Sequence, residues 1–366
     1  MSQRAVLFGV TSLDQGGIES YLLRFIRHTK GLIKPTILCK SGRTGCLEEE
    51  YITAGADILS LRLTAVPSPN YMQLHRTLKA RRFDAVCDFT GDFAGPVLAV
   101  SKAAGVPRRI AFYRGSSVQF RPTAARVLYA AALNQLTKYS ATQILANSEA
   151  GLNYFHAGWQ QSRGEYLIVR NGIPEIPRLL TSHTLAKRHE LGIPAQANVV
   201  GHVGRFCAAK NFDTILTCFE RLLSVRADVV VLLCGRGVPA GVKKSLSNSP
   251  HRGRYFVYDS RADGIEILQC LSALYFPSIS EGMPNVLAEA MLSNIPFVAS
   301  DIPSIKEICP PAARRFLVPP MDHVAATNVI CELLDSPSHF PLCDTMSWAK
   351  REFSAEARFG EFLRCL

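Results

Sequence analysis

Short runs of aliphatic and β-branched residues alternate along this chain with longer stretches whose apolar positions recur every three or four residues. AVLFGV (5–10), PTILCK (35–40), DILSLRL (57–63), AVCDF (85–89), RRIAFYR (108–114) and QILANS (143–148) read as strands. Between them, IESYLLRFIRHT (18–29), TGCLEEEYITAG (44–55), YMQLHRTLKARR (71–82), PVLAVSKAAG (96–105) and residues 123–140 carry the helical period. Strands alternating with helices of this length predict βαβ units around a parallel sheet. The second half repeats the design. ANVVGHVGR (197–205) is a strand into a loop, NFDTILTCFERLLSV (211–225) a helix and DVVVLLCG (228–235) a buried strand. RYFVYD (254–259), SALYFPS (272–278) and PFVAS (296–300) are further strands. The expected fold class is α/β, with two doubly wound, Rossmann-like halves. A hinge is expected near 175–195, around Pro174, Pro177 and Pro194. Ligands of open α/β sheets bind at the carboxyl ends of the strands, so a central cleft between the halves is the expected site.

The most informative chemistry lies in PSISEGMPNVLAE, residues 277–289. Gly282 and Pro284 put Glu281 in a loop and start a helix near Asn285 or Val286, with Glu289 a turn inside it. The first backbone N–H groups of that helix, on Asn285, Val286 and Leu287, have no partner within it and form a seat for a phosphate. Two carboxylates able to accept from sugar hydroxyls, flanking an anion-binding helix end, describe a site for a nucleotide diphosphate sugar. Arg205 and Lys210 stand five residues apart on a strand-to-helix loop, and both can reach one diphosphate. Gly16 and Gly17 end the loop after the first strand, where backbone can approach a phosphate or sugar. Gly235-Arg236-Gly237 follows a buried strand, but it lacks the third glycine of a dinucleotide fingerprint and no helix is evident after it.

The spacing Glu281-x7-Glu289 within PS-x-x-EGMPNVL-x-EAM resembles the donor-site motif of retaining glycosyltransferases with two Rossmann-like domains, especially family 4. GGIES from Gly16, ANSEA from Ala146, RNGIP from Arg170, VGRFCAAKNFD from Val203 and IPFVASDIPSIKEI from Ile295 follow in the order of that family. The resemblance implies the GT-B architecture. Residues 1–180 would be an acceptor-binding domain and 181–345 a nucleotide-sugar-binding domain, with a helix over 346–366 crossing back onto the first. It also implies a donor site of Gly204, Arg205, Lys210, Gly235, Arg236, Glu281, Gly282, Met283, Pro284, Asn285, Val286, Leu287 and Glu289, with Gly16 and Gly17 across the cleft. Arg205 and Lys210 would clamp the diphosphate, Glu281 would hold the transferred sugar, and Glu289 would hold the ribose hydroxyls. Neither a divalent metal nor a cofactor is implied. The co-substrate is a nucleotide diphosphate sugar, a UDP-sugar ahead of a GDP-sugar, carrying a hexose or N-acetylhexosamine. Where many relatives place a histidine, IAFYRGSS puts Arg114. Arginine cannot act as a general base near neutral pH but can pair with a phosphate or an acidic acceptor. Glu281, Arg205, Lys210 and Arg114 are thus the candidate catalytic groups.

Composition narrows the alternatives. The chain has 366 residues, 48% of them hydrophobic and 19% charged, which suits two globular domains. Its eleven cysteines form no C-x-x-C pair and are odd in number, so no zinc site is expected and reduced thiols in a cytosol are. The opening MSQRAVLFGV reads as a strand rather than a signal peptide, and no apolar run is long enough to span a bilayer. Residues 1–175 carry 21 Lys and Arg against 12 Asp and Glu, while 176–366 carry 20 against 18. A basic first half suggests an anionic partner such as a membrane surface or a lipid diphosphate. The expected activity is retaining transfer to a lipid-linked or saccharide acceptor in bacterial surface polysaccharide synthesis (O-antigen, capsule or lipopolysaccharide). The expected location is cytoplasmic, peripheral on the inner face of the membrane. Alternatives are an epimerase of the same architecture, for which no carboxylate–histidine set is evident, and a transferase acting on a soluble small acceptor. Nothing resembles a recognition helix or an aromatic RNA-binding motif, so no nucleic-acid partner is expected.

Overall fold

A computed structural model of the chain describes residues 3–64, 68–116, 123–162 and 164–366. It divides into two compact units, Met1–Pro174 with Ala355–Leu366, and Glu175–Ser354. In the first unit β1 (Arg4–Val10), α1 (Gly17–His28), β2 (Ile33–Cys39), α2 (Glu48–Thr53), β3 (Asp57–Ser60), α3 (Pro69–Arg81) and β4 (Ala85–Asp88) come first. They are followed by α4 (Gly95–Ala103), β5 (Arg108–Tyr113), α5 (Ala124–Ser140), β6 (Gln143–Ala146), α6 (Glu149–Phe155) and β7 (Tyr166–Ile168). The strands form one parallel sheet in the order β3-β2-β1-β4-β5-β6-β7. The order reverses between β1 and β4, which opens a crevice beyond their carboxyl ends.

The second unit holds α7 (Thr181–Glu190), β8 (Asn198–Val203), α8 (Phe212–Val225), β9 (Val229–Cys234), α9 (Val238–Ser247), β10 (Tyr255–Tyr258) and α10 (Gly264–Gln269). It continues with β11 (Ala273–Phe276), α11 (Asn285–Leu292), β12 (Phe297–Ser300), α12 (Pro303–Ile308), β13 (Leu317–Val318), α13 (His323–Asp335) and α14 (Leu342–Glu352). Its parallel sheet runs β10-β9-β8-β11-β12-β13, with the reversal between β8 and β11. Both units are therefore doubly wound and Rossmann-like.

The apolar faces explain the packing. Helix α1 buries Tyr21, Leu22, Leu23, Phe25 and Ile26 along one side, the period expected of a helix lying on a sheet. Helix α15 (Ala355–Cys365) completes that layer. Its Phe359 ring lies 5.6 Å from Tyr21, and its Phe362 ring lies 4.6 Å from Phe25 and 5.2 Å from Phe112. A Cβ on Gly172 would sit 2.8 Å from the Phe359 ring, so this glycine is fixed by close packing.

Several element boundaries differ from the sequence reading. The helix expected over 44–55 forms only at Glu48–Thr53, because Thr44 and Leu47 are tied to Leu13 through backbone hydrogen bonds. The strand expected over 57–63 ends at Ser60. The hinge region 175–195 contains helix α7, whose Arg188 guanidinium donates to Cys270 O, Ala195 O and Ala197 O within its unit. The single carboxyl-terminal helix expected over 346–366 is two helices, broken at Phe353 and Ser354. Phe353 is fully buried, and the chain passes from one unit to the other directly after Ser354. Among the described residues no helix is long and apolar enough to cross a membrane.

Candidate functional site

In the second unit the reversal of strand order brings together the loops that follow β8 and β11. The β8 loop carries Gly204, Arg205 and Lys210, and the β11 loop carries Glu281. Lys210 Nζ donates to Glu281 Oε1 at 2.6 Å, with both side chains mostly buried, and lies 4.3 Å from the centre of the Phe276 ring. The two residues assigned by sequence to different parts of a donor are thus one ion pair at the switch point. Arg205 remains an exposed cation beside it.

His202, near the end of β8, supports this loop from below. It is fully buried, stacks on Phe276, and places Nδ1 3.0 Å from Tyr275 O. That contact puts the ring proton on Nδ1, leaving Nε2 directed at Gly204, where a Cβ would approach to 2.9 Å. Burial, helped by the charge of Lys210, pushes His202 down to about 3, so the ring is neutral at physiological pH. Asn211 takes a left-handed conformation (φ 61°) at the start of α8. Its Nδ2 donates to Pro277 O and Pro320 O, and its Oδ1 accepts from Thr214, joining the β8 and β11 loops. Neither His202 nor Asn211 was singled out from the sequence. Their only signals were a polar residue inside an apolar strand and an asparagine at a helix start.

Gly235 shows why two loops can stack at this edge. It has φ +153°, and a Cβ there would lie 2.1 Å from Gly204 O and 3.1 Å from Arg205 N. Beside it Arg236 O accepts from Phe206 N at 2.9 Å, while the Arg236 side chain is exposed. The sequence reading found no helix after Gly235-Arg236-Gly237. The structure corrects this: α9 starts at Val238, with Gly237 at φ +76° as its cap and Pro239 in its first turn. Proline fits there because the first-turn N–H groups have no intrahelical partner to lose.

Helix α11 begins at Asn285 after an extended Pro284, which makes no side-chain cap hydrogen bond. Gly282, Met283 and Pro284 are buried beneath the turn. Leu287 points into the core and can offer only its backbone, and Val286 is half-buried. Glu289 lies in the second turn and is 8% exposed.

In the first unit Gly16 caps α1 with extended backbone, and a Cβ there would meet Glu19 Oε2 at 2.4 Å. Gly17 has open space around it. Arg114, just beyond β5, lays its guanidinium 3.8 Å over the Tyr21 ring and 5.0 Å from the Phe112 ring. Its Nη1 is buried without a hydrogen-bond partner, and burial lowers its pKa from the usual arginine value. This is a cation held on aromatic faces, and a guanidinium does not act as a base near neutral pH. At the β1/β4 reversal lies a polar knot that the sequence did not disclose. Lys40 Nζ donates to Asp88 Oδ2 (2.9 Å), Thr90 Oγ1 (2.7 Å) and Phe93 O (2.7 Å). Gly9 is paired with Asp88, and a Cβ there would lie 2.5 Å from Asp88 Oδ2. Asp92 accepts from Tyr113 Oη and Asn134 Nδ2, which ties the turn after β4 to β5 and α5.

Comparison with known proteins agrees with this layout. Residues 197–336 match the family model for glycosyl transferases group 1. The chain is 23% identical over 312 residues to EpsF of Bacillus subtilis (strain 168), described as a putative glycosyltransferase, covering 82% of this chain and 80% of that one. Two solved structures share the fold. Anabaena Alr3699/HepE in complex with UDP-glucose superposes with a TM-score of 0.80 at 19% identity, over 99% of this chain and 100% of that chain. WaaG, a glycosyltransferase involved in lipopolysaccharide biosynthesis, superposes at 0.72 and 16% identity, over 98% of each. With a group 1 domain matched over the residues that carry the Lys210–Glu281 pair, and two Rossmann-like units of the GT-B fold, the chain is a glycosyltransferase.

Proposed function

We propose that the chain is a retaining, metal-independent enzyme that moves a hexose or N-acetylhexosamine from a UDP-sugar to an acceptor hydroxyl. The observation that carries this reading is the Lys210–Glu281 pair at the β8/β11 reversal, beside exposed Arg205. In this reading the diphosphate lies at the opening of α11, between Arg205 and Lys210. Their charges and the helix amides meet the negative charge that grows on the departing phosphate, a contribution of about 10²–10³ in rate per donor removed in comparable sites. Glu281 accepts from sugar hydroxyls and Glu289 from the ribose. The bond from the anomeric carbon to phosphate oxygen breaks as the acceptor oxygen bonds to that carbon on the same face. The acceptor proton passes to the departing phosphate oxygen. No protein nucleophile is required, and Arg114 serves as a fixed cation, not a base.

The acceptor is proposed to be lipid-linked, in assembly of a bacterial surface polysaccharide such as O-antigen, capsule or lipopolysaccharide, with the enzyme cytoplasmic and bound to an anionic membrane surface. What supports this is the charge of the first unit and the fold shared with WaaG. The test is incubation with UDP-glucose, UDP-N-acetylglucosamine and a GDP-sugar, with and without acceptor, followed by NMR of the product. Release of UDP that depends on acceptor, with the donor's anomeric configuration preserved, is expected. An inverted product, or an epimerised nucleotide sugar formed without acceptor, would overturn the reading.

A further inference from the structure

Asn211 joins the two loops at the second unit's switch point, and its side-chain amide faces more acceptors than it has protons. Its Nδ2 carries two protons and lies against Pro320 O at 2.9 Å, Pro277 O at 3.2 Å and Met321 Sδ at 3.4 Å. Thr214 Oγ1, which donates to Asn211 Oδ1, lies 3.8 Å from the same sulfur. A thioether is a weak acceptor, so the two carbonyls hold the protons. Met321 is 66% exposed, while Asn211 beneath it is 8% exposed. A solvent-facing sulfur thus touches the buried amide that holds Pro277, the first residue of the segment carrying Glu281.

Exposure opens this thioether to peroxide. The sulfur lone pair attacks one oxygen of hydrogen peroxide, the O–O bond breaks, and that oxygen's proton passes to the departing hydroxide, which leaves as water. Sulfur is oxidised by two electrons to the sulfoxide, and the peroxide is reduced. Met283 and Met291, at 5% and 0% exposure, are shielded from the same reaction, whereas Met72 on α3 of the first unit is as open as Met321. The sulfoxide oxygen is a strong acceptor one bond from the sulfur, within reach of Asn211 Nδ2 and Thr214 Oγ1. Three strong acceptors then compete for two protons. Pro320 adjoins Met321 in the chain and has the shorter bond, so Pro277 O is the carbonyl left without its donor. A buried carbonyl without a partner is unfavourable, which draws the β11 loop away from α8 towards water. Ile279 N still donates to Ala209 O, so the loosening is partial.

We infer that Met321 is a reversible redox-modification site, whose oxidation by peroxide loosens the β11 loop and weakens binding of a nucleotide diphosphate. The effect on the nucleotide rests on the proposed donor site; the modification and the loosening do not. The full chain is treated with hydrogen peroxide, then with a thiol reductant to reverse oxidised cysteines, and is mapped by peptide mass. Oxygen is expected on Met321 and Met72 well before Met283 and Met291. Hydrogen exchange of residues 277–281 then quickens, and the Kd for UDP in calorimetry rises about two- to tenfold, the effect of one net hydrogen bond. Methionine sulfoxide reductases, one for each epimer, restore both readings. Met321→Leu keeps the parent's UDP affinity and loses its sensitivity to peroxide, whereas Met72→Leu keeps that sensitivity. Met321→Gln, which offers a polar acceptor at similar reach, shows the loosened loop without peroxide. Oxidation of Met321 as slow as that of the two buried methionines overturns the inference. So do unchanged exchange in the oxidised chain, a UDP affinity that oxidation leaves untouched, or full peroxide sensitivity in Met321→Leu. Exchange that responds as expected in a chain that never binds UDP counts against the donor reading alone.

Discussion

Replacing Lys210 by methionine tests the switch-point pair most directly. At 2.6 Å the two charges attract by about 6 kcal/mol at an effective dielectric constant near 20. Desolvation offsets part of this, and removing one partner of a mostly buried pair costs roughly 3–5 kcal/mol. Methionine keeps the stem length, so the contact with Phe276 survives and the loss is chiefly electrostatic. The expected cost is about 3 kcal/mol, read as faster hydrogen exchange of the β8 and β11 amides. Combining Lys210→Met with Glu281→Gln should recover most of it, and the double-mutant cycle should give a coupling above about 1 kcal/mol. The same pair makes a second prediction with opposite signs. Lys210→Met should lower turnover about 10²–10³-fold and weaken UDP binding. Glu281→Gln releases the ammonium from its carboxylate, so UDP should bind more tightly in calorimetry even though sugar transfer falls. Additive stabilities, together with UDP affinities unchanged in both variants, would refute the argument that the pair is the diphosphate seat.

Gly235→Ala should be damaging far beyond the size of a methyl group. The new Cβ meets backbone at Gly204 rather than a flexible side chain, and φ +153° is unfavourable to alanine, so the Arg205 loop must shift. UDP binding should weaken at least about tenfold by calorimetry while the circular dichroism spectrum is preserved. Stability should fall on acidification, because His202 at about 3 and buried His156 at about 4 must gain protons on unfolding that they do not hold when folded. Their contribution is complete above about pH 6.5 and is lost as pH drops towards the folded values, about 2 kcal/mol for each at pH 5, and His202→Gln should flatten the denaturant-midpoint profile. Phe362→Ala should cost about 3–5 kcal/mol, since the ring is fully buried among Phe8, Tyr21, Phe25, Phe89 and Phe112, and protease sensitivity of the first unit should report it.

The sequence was most legible where one physical period dominated. Buried strands such as 228–235 and amphipathic helices such as 211–225 needed no tertiary information, and two doubly wound sheets followed from their alternation. The start of α11 was legible because Gly282 and Pro284 interrupt the pattern immediately before Asn285. What stayed hidden depends on contacts between residues far apart in sequence. The Lys210–Glu281 pair joins positions 71 apart, and Lys40 reaches Asp88 across 48 residues. Helix α9 was masked by Pro239, which reads locally as a breaker yet is accommodated in a first turn. Helix α7 was masked by the prolines on either side of it. The break at Phe353 and Ser354 was invisible because both flanking segments keep helical periodicity, and only the change of unit separates them.

The packing of α15 also sets an order of events during synthesis. The first unit leaves the ribosome early, yet its layer around Tyr21, Phe25 and Phe112 lacks Phe359 and Phe362 until a further 180 residues, Glu175–Ser354, have been made. At about 5–20 residues per second that interval lasts roughly 10–40 seconds. During it the second unit can close its own sheet from contiguous chain, whereas the first holds an aromatic groove open. The unit made first is therefore the one finished last, and the nascent chain exposes its stickiest surface for the length of its partner's translation.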